Sequence, residues 1–268
     1  MTPTRARFAE VVRSEPVDVG LACLLVGGEV DPDLDVDPSL ELLDLIATQV
    51  RLRLHGHTAP RDVAEQLRRV LHMAHRFRGT QADFDDVRSS LLSEVLVRKR
   101  GLPILLSVVW TEVAARLGMP AHVLGLPGRV VVLLGEPEDE HVVVDPWEDG
   151  LVLGPDEVAQ RAQGVPITPM RANDLLLRLL TNVRALAARK PPGLDAAAMR
   201  LWAVELSLLL PRHPVALRRE RGELLVRLGD HLGGADELET YALVVDGSDE
   251  RAADDARREA RLARAQLN

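Results

Sequence analysis

The sequence contains one cysteine, Cys23, among its 268 residues, which excludes an internal disulfide. Cys23 lies in the apolar run GLACLLVGG, where a free cysteine is usually a small buried hydrophobe. A reactive thiolate needs some exposure and a nearby base or cation, and the neighbouring residues supply neither. We therefore expect Cys23 to have a structural role only.

Lysine and aromatic residues are also scarce. Lys99 and Lys190 are the only lysines, so nearly all of the 33 basic residues are arginines, against 41 acidic residues and a net charge of −8. Nonspecific nucleic-acid binding needs a basic face, and base stacking needs aromatic side chains, which make up 3% of the chain. We therefore expect no nucleic-acid partner.

Long apolar runs are missing as well. No run approaches the roughly 18–20 residues of a membrane-spanning helix, and the N-terminal MTPTRARFAEVVRSE lacks the apolar stretch of a signal peptide. We expect a cytoplasmic protein that does not enter a membrane. The hydrophobic content of 46% suffices for the core of one large domain or two small ones.

Metal-ligand patterns are incomplete. His72 and His75 could share a helix face, and His55 and His57 flank a glycine, but no further ligand stands at the spacing of a zinc site. The acidic connector DPDLDVDP lacks the glycine and glutamate of a calcium loop. The sequence predicts neither a metal nor a cofactor.

Apolar periodicity predicts helices over most of the chain. In the first part they cover residues 4–14, 17–26, 60–77 and 87–97, with a further helix from Asp37 until HGHTAP breaks it. After residue 170 the pattern is helical throughout, with helices near 171–189, 195–210, 214–229, 234–245 and 248–266.

The stretch between residues 98 and 154 has a different pattern. Pro103 fits the first turn of an apolar helix that Gly118 ends. Residues 121–126, 129–134 and 141–144 are rich in β-branched side chains and are predicted as strands. The short links between these strands, LPG and GEPEDE, favour antiparallel neighbours.

Several blocks together resemble the bacterial SirB-type family, in which a transglutaminase-like core precedes tetratricopeptide-like helices. The blocks are EVLVRKRGLPILLSVVWTEVAARLGMPAHVLGLPG, VVDPWEDGLVL, NDLLLRLLTNVRAL and ALRRERGELLVRLG, within roughly residues 40–245. The resemblance implies an α+β fold with a helical N-terminal layer, a transglutaminase-like (papain-like) core with a small antiparallel sheet, and C-terminal tetratricopeptide-like helices. It implies a transglutaminase-like domain over residues 1–165 and a helical domain over residues 166–268.

The resemblance also locates three positions of a catalytic triad. In catalytic members of the wider superfamily a Cys opens the core helix, and counting back from Gly118 places Pro103 there. Arg129, after Pro-Gly, occupies the strand position at which SirB-type proteins usually carry His, and Asp145 retains the Asp. Proline is no nucleophile, and arginine is no base near neutral pH. We expect Arg129 and Asp145 to form a partly buried, bidentate ion pair instead.

Other residues complete a candidate cleft: Gly101, Ser107, His122, His141 and Trp147. Ser107 lies one helical turn after Pro103 and could act as a nucleophile if His122 or His141 reached it as a base. The alternative for Ser107 is a small residue hydrogen-bonded within a buried helix. Trp147 is expected to be a lid or a packing aromatic.

Two classes of function remain open. The first is a noncatalytic transglutaminase-like protein that binds a protein or peptide partner in a scaffolding or regulatory role. The second is an atypical amide- or peptide-bond hydrolase or transferase that uses Ser107 with a nearby histidine. Because the nucleophile and the base are both replaced, at Pro103 and Arg129, the first class is favoured. The sequence carries no signal for an oligomeric state.

Overall fold

A computed structural model of the chain describes residues 2–266 and divides into two compact units, one ending at Leu175 and one beginning at Leu176. The sequence predicted a boundary ten residues earlier, between 165 and 166. Residues up to Met170 belong to the first unit because they attach to its sheet. Pro169 bridges Leu124, and the Met170 N–H donates to the Val123 carbonyl at 2.8 Å.

The first unit is built from seven helices and a sheet among its described residues. The helices are α1 (Pro3–Val11), α2 (Val19–Leu25), α3 (Asp37–Leu54), α4 (Pro60–Arg68), α5 (Leu92–Arg98), α6 (Pro103–Arg116) and α7 (Pro155–Ala162). None of the helices within residues 2–266 is both long and apolar enough to cross a membrane.

Proline and short polar residues define where these helices begin. Pro60, Pro103 and Pro155 each open a helix, where the missing N–H would have no partner. The Asp18 side chain accepts a hydrogen bond from the Leu21 N–H at 2.8 Å and caps α2. The predicted start of the core helix at Pro103 is confirmed.

The helix predicted over 60–77 is interrupted. After α4, residues Arg69–Ala74 form a π-helical turn, which turns the side chains that follow relative to a continuous α-helix. Within the turn, His72 accepts a hydrogen bond from the Trp110 indole N–H at 3.3 Å. Gly150 packs against both rings, since a Cβ there would lie 2.7 Å from the Trp110 ring. Burial lowers the pKa of His72 to about 4, so His72 is neutral at pH 7.

The helix predicted over 87–97 is also divided. Residues Val87–Ser90 form a 3₁₀ turn, and α5 begins at Leu92. The Asp86 side chain accepts from the Arg88 N–H at 3.0 Å and initiates the turn. A third difference is α2, which continues from Val26 as a 3₁₀ turn instead of ending there.

The sheet contains four antiparallel strands in the order β1-β2-β3-β4, which confirms the predicted small antiparallel sheet. The strands are β1 (Ala121–Leu126), β2 (Arg129–Gly135), β3 (His141–Asp145) and β4 (Leu151–Leu153). In this register Val132 lies opposite Val144, and Asp145 lies opposite Leu151. Every consecutive pair is joined by a short turn, as the links in the sequence indicate.

Side chains alternate between the two faces of the sheet along each strand. Helices cover both of these faces. One face packs with α7 in a cluster of Leu124, Leu126, Val131, Leu133, Val143, Leu153, Val158 and Ala162. α6 packs against β1 and β2, and its first half is buried on nearly all sides. The fold is α+β because the sheet is antiparallel and its four strands follow one another in the chain without helices between them.

The second unit consists of helices. α8 (Ala172–Arg189) crosses the boundary between the units, and it is followed by α9 (Leu194–Leu209), α10 (Ala216–Arg227), α11 (His231–Val245) and α12 (Glu250–Ala265). These bounds agree with the five predicted helices to within a few residues. Asp230 and Asp249 cap α11 and α12 by accepting from the Gly233 and Ala252 N–H groups.

Two glycines allow α10 and α11 to approach closely. A Cβ on Gly234 would lie 2.7 Å from the Gly222 carbonyl oxygen, and one on Gly222 would lie 2.9 Å from the Gly234 oxygen. Both obstacles are backbone atoms, which cannot rotate away as a side chain would. The helix pair therefore depends on the absence of a side chain at these two positions.

We predict that Gly234→Ala lowers the free energy of unfolding by about 1–3 kcal/mol, the usual cost of overpacking. At a solvent-exposed position within a helix, Gly→Ala would instead raise the free energy of unfolding by about 1 kcal/mol. The sign of the change therefore shows whether Gly234 is in close contact with α10. Thr240→Ala, at an exposed position of α11, is the matched control and should change stability by less than about 0.5 kcal/mol. Urea unfolding of both variants measures this, and a gain in stability from Gly234→Ala would contradict the packing described.

Candidate functional site

A cavity of about 160 Å³ lies at the end of the sheet, beside the start of α6. Its lining combines apolar and charged side chains: Gln81, Phe84, Pro103, Gly128, Arg129, Val130, Asp145 and Trp147. The three positions inferred for a triad, together with Trp147, therefore meet around one cavity. At the position that the resemblance assigns to the nucleophile, the cavity is lined by Pro103, which offers neither a hydroxyl nor a thiol.

Asp145 is the most buried charged group of the site, with 1% of its surface exposed. Its Oδ1 accepts from the Trp147 and Glu148 N–H groups at 3.0 and 3.2 Å. Its Oδ2 accepts from Arg129 Nη1 at 3.2 Å and from Arg161 Nη1 at 2.8 Å. Since a carboxylate has about four acceptor sites, these four bonds use its full capacity.

Two arginines and two glutamates extend this arrangement. The Arg129–Asp145 ion pair expected from the sequence is present, and the same Arg129 Nη1 also donates to Glu148. Arg161, from α7, donates to Glu148 at 3.0 Å and to Glu157 at 2.6 Å. We call these five residues the Asp145 network. It ties the start of β2, the turn after β3 and α7 together.

The network shifts the ionisation of its own members. The hydrogen bond from Arg129 holds the pKa of Glu148 below its ordinary value, and Arg161 acts in the same direction. The hydrogen bond to Glu148 in turn raises the pKa of Arg129. Arg129 therefore stays protonated under all physiological conditions and cannot accept a proton as a histidine at this position would.

The aromatic wall is positioned by backbone contacts. The Trp147 ring meets Phe84 edge-on, with centroids 5.7 Å apart. It also lies on Gly79, where a Cβ would come within 1.9 Å of the ring. Gly79 in turn contacts the carbonyl of Gly101, which is itself buried. Gly101 thus packs against Gly79 and is not among the residues that line the cavity.

Gln81 and Phe84 lie in a 3₁₀ turn, Gln81–Asp85, which the sequence predicted as a loop and which is held by a buried carboxylate. Asp83 Oδ2 accepts from the Thr80 N–H at 2.7 Å, and Oδ1 accepts from the Ser89 hydroxyl at 3.0 Å. Arg100 Nη2 lies 3.1 Å from the same carboxylate. Burial by itself would raise the pKa of Asp83, but the hydrogen bonds from Arg100, Thr80 and Ser89 lower it.

Three side chains of the candidate cleft lie elsewhere. Ser107 is fully buried, and its hydroxyl donates to the Pro103 carbonyl at 2.9 Å, because the residue faces the preceding helical turn. His122 lines a different cavity and lies 3.5 Å from Glu136. His141 is exposed, and its Nδ1 is bonded to the Asp139 carbonyl at 2.9 Å. The structure does not assemble Ser107 and a histidine into this cavity.

Cys23, His72 and His75 all lie outside the cavity lining. Cys23 is completely buried in α2, and burial raises the pKa of its thiol far above the ordinary range. His75 Nε2 lies 2.7 Å from the Gln49 side chain, whereas His72 contacts Trp110. Within residues 2–266 no three His, Cys, Asp or Glu side chains converge in the manner of metal ligands.

A family model for the transglutaminase-like superfamily matches residues 38–188, which is more than half of the chain and includes the whole cavity. The chain belongs to the transglutaminase-like superfamily. The helix that begins at Pro103 and the strands that carry Arg129 and Asp145 are therefore parts of a transglutaminase-like domain.

The chain is similar to bacterial proteins over most of its length. A UPF0162 protein of Xylella fastidiosa is 28% identical over 244 residues, covering 86% of this chain and 85% of that protein. A UPF0162 protein of Pseudomonas aeruginosa is 30% identical over 204 residues, covering 71% and 73%. F-box only protein 21 of Homo sapiens is 23% identical over 186 residues, and the match covers 28% of that protein.

Sequence reasoning missed several parts of this transglutaminase-like site. Arg161 and Glu157 are four residues apart on α7, a spacing typical of helical ion pairs, but nothing in it pointed to Asp145. Glu148 follows Asp145 by three residues in the Asp-Pro-Trp-Glu turn, which is a signal that could have been used. Phe84 lay in a segment interpreted only as a loop.

We predict that Asp145→Asn lowers the free energy of unfolding by about 2 kcal/mol, because an amide cannot accept from both arginines and both N–H groups. Asp149→Asn in the same turn is the matched control, since the side chain of Asp149 is 81% exposed. It should change stability by less than about 0.5 kcal/mol. Thermal and urea unfolding measure both, and equal losses for the two variants would show that Asp145 has no special structural role.

We also predict a pH-dependent contribution from Glu148. Its pKa is lowered from 4.5 in the folded chain, so its ionised form stabilises the fold above pH 4.5, and this contribution is lost as pH falls below that value. The difference in the free energy of unfolding between the wild-type chain and Glu148→Gln should accordingly be largest near pH 7. It should become smaller as the pH is lowered below 4.5. Glu138→Gln removes an exposed carboxylate as a control. A difference for Glu148→Gln that does not change with pH would contradict the network.

Proposed function

We propose that this chain is a noncatalytic transglutaminase-like protein that binds a segment of a partner protein, with one partner side chain entering the cavity beside Pro103. The observation that supports this most is the hydrogen bonding of Asp145. The four donors around its carboxylate are all supplied by the chain itself. An Asp that orients a catalytic histidine must keep an acceptor for the imidazole.

The residues around Asp145 support the same proposal. Pro103 has no nucleophilic atom, and Arg129 does not release a proton near neutral pH. The hydrolase alternative gains no support, because the Ser107 hydroxyl is buried and already donates to the Pro103 carbonyl. We therefore propose a binding function only.

The size and chemistry of the cavity indicate what it would receive. Its volume of about 160 Å³ is close to that of an engineered protein cavity of about 150 Å³ that holds benzene. The rings of Phe84, Pro103 and Trp147 and the side chain of Val130 supply apolar contacts, and Arg129 adds a cation at the rim. One aromatic or branched aliphatic side chain of the partner fits this combination.

The proposal includes the finer features of the SirB-type resemblance. In it, α8–α12 form a tetratricopeptide-like unit, a kind of helical array that commonly presents concave binding surfaces. The succession of helices joined by short links, with α10 packed on α11 and α11 packed on α12, supports this part of the proposal. We place the protein in the cytoplasm, with no nucleic-acid partner.

We predict that selection of random peptides displayed on phage against the full chain enriches sequences with one large apolar residue. Gln81→Trp fills the cavity from its exposed rim and should weaken an enriched peptide at least tenfold. Ala82→Trp is the control, because Ala82 is exposed on the same turn but does not line the cavity. Calorimetry measures the affinities. No enrichment, or equal affinity for Gln81→Trp and the wild-type chain, would overturn the proposal.

A further inference from the structure

The two edges of the sheet differ in what covers them. The outer edge of β1 is covered by the segment after α7, through the Leu124–Pro169 bridge and the hydrogen bond from Met170 to Val123. At the other edge, no strand among residues 2–266 pairs with the outer side of β4. An uncovered edge presents backbone donors and acceptors that another extended segment can use.

The side chains of β4 are apolar and partly exposed. Leu151 and Val152 are 47% and 40% exposed, whereas Leu153 is buried in the cluster beneath α7. β4 itself contains no proline, lysine or arginine, the residues by which proteins commonly protect an edge. Its shortness is its only protection, and this limits the number of backbone hydrogen bonds that a partner can form.

Charge around this edge is strongly one-sided. Residues 136–157, which contain β3 and β4, include nine aspartates and glutamates and no lysine or arginine. Arg161 pairs with Glu148 and Glu157, but Asp149 before β4 and Asp156 after it are exposed and form no ion pair with an arginine or lysine in the described structure. Arg68 Nε donates to the Asp149 backbone carbonyl at 3.1 Å and not to its carboxylate, so each end of the edge has a carboxylate that is available to a basic partner.

We propose that the outer edge of β4 is a docking surface for an extended, basic segment of a partner protein, which adds to the sheet as a fifth strand. Backbone pairing and contact with Leu151 and Val152 would provide affinity, and lysines or arginines near Asp149 and Asp156 would provide selectivity. A second copy of this chain would bring its own acidic edge, so like charges disfavour pairing of two β4 strands. This surface is separate from the cavity and goes beyond the function proposed above.

The test uses the full chain and two fluorescent peptides, Lys-Lys-Val-Thr-Val-Lys-Lys and Glu-Glu-Val-Thr-Val-Glu-Glu, followed by anisotropy. We expect the basic peptide to bind at least tenfold more tightly than the acidic one. Val152→Lys should weaken the basic peptide at least tenfold, whereas Leu52→Lys, at a 71% exposed position on α3, should leave it unchanged. No binding of the basic peptide, or equal binding to the wild-type chain and Val152→Lys, overturns the proposal.

Two matched pairs of neutralising changes separate strand addition from general attraction. Asp149→Asn with Asp156→Asn should weaken the basic peptide several-fold, and Glu138→Gln with Asp139→Asn, in the turn before β3, should not. Equal weakening by both pairs would mean diffuse electrostatic attraction and would overturn the docking surface. Gln81→Trp should leave the basic peptide unaffected, so this result is independent of whether the cavity binds a partner.

Discussion

The carboxylate of Asp145 is the constraint on which the site depends. A buried charge is tolerated only when hydrogen bonds and opposite charges replace the water that it loses. Here two backbone N–H groups of one turn, an arginine at the start of β2 and an arginine on α7 do so. The turn with Trp147, the start of β2 and α7 are therefore held by one side chain.

In the function that we propose, this arrangement maintains the shape of the site without a catalytic triad. In a catalytic triad the Asp is one partner of a histidine. The SirB-type resemblance assigns Arg129 to that histidine's position, and Arg129 pairs with Asp145 and Glu148, which compensates the charge of Asp145. Pro103 preserves the start of α6 because its ring suits the first helical turn. Under the proposed assignment, Pro103 and Arg129 both support the surrounding structure and lack the reactive atoms of a cysteine and a histidine.

The sequence predicted the elements whose signals are local. The helix after Pro103, the three longer strands and the five C-terminal helices follow from apolar periodicity, turns and caps within each segment. The π-helical turn at Arg69–Ala74 was not predictable in this way, because it accompanies packing between His72, Trp110 and Gly150, which are far apart in sequence. The contact of Arg161 with Asp145 was missed for the same reason, since it depends on how α7 lies on the sheet.

We propose that the groups around Pro103 perform no bond-making or bond-breaking step, and a turnover assay is the sharpest test of this. Purified chain would be incubated with a panel of peptide amides and esters and with a glutamine-rich protein plus a fluorescent amine. We expect product to form no faster than with heat-denatured chain. Turnover by the folded wild-type chain that is abolished in a folded Arg129→Ala or Ser107→Ala variant would contradict it.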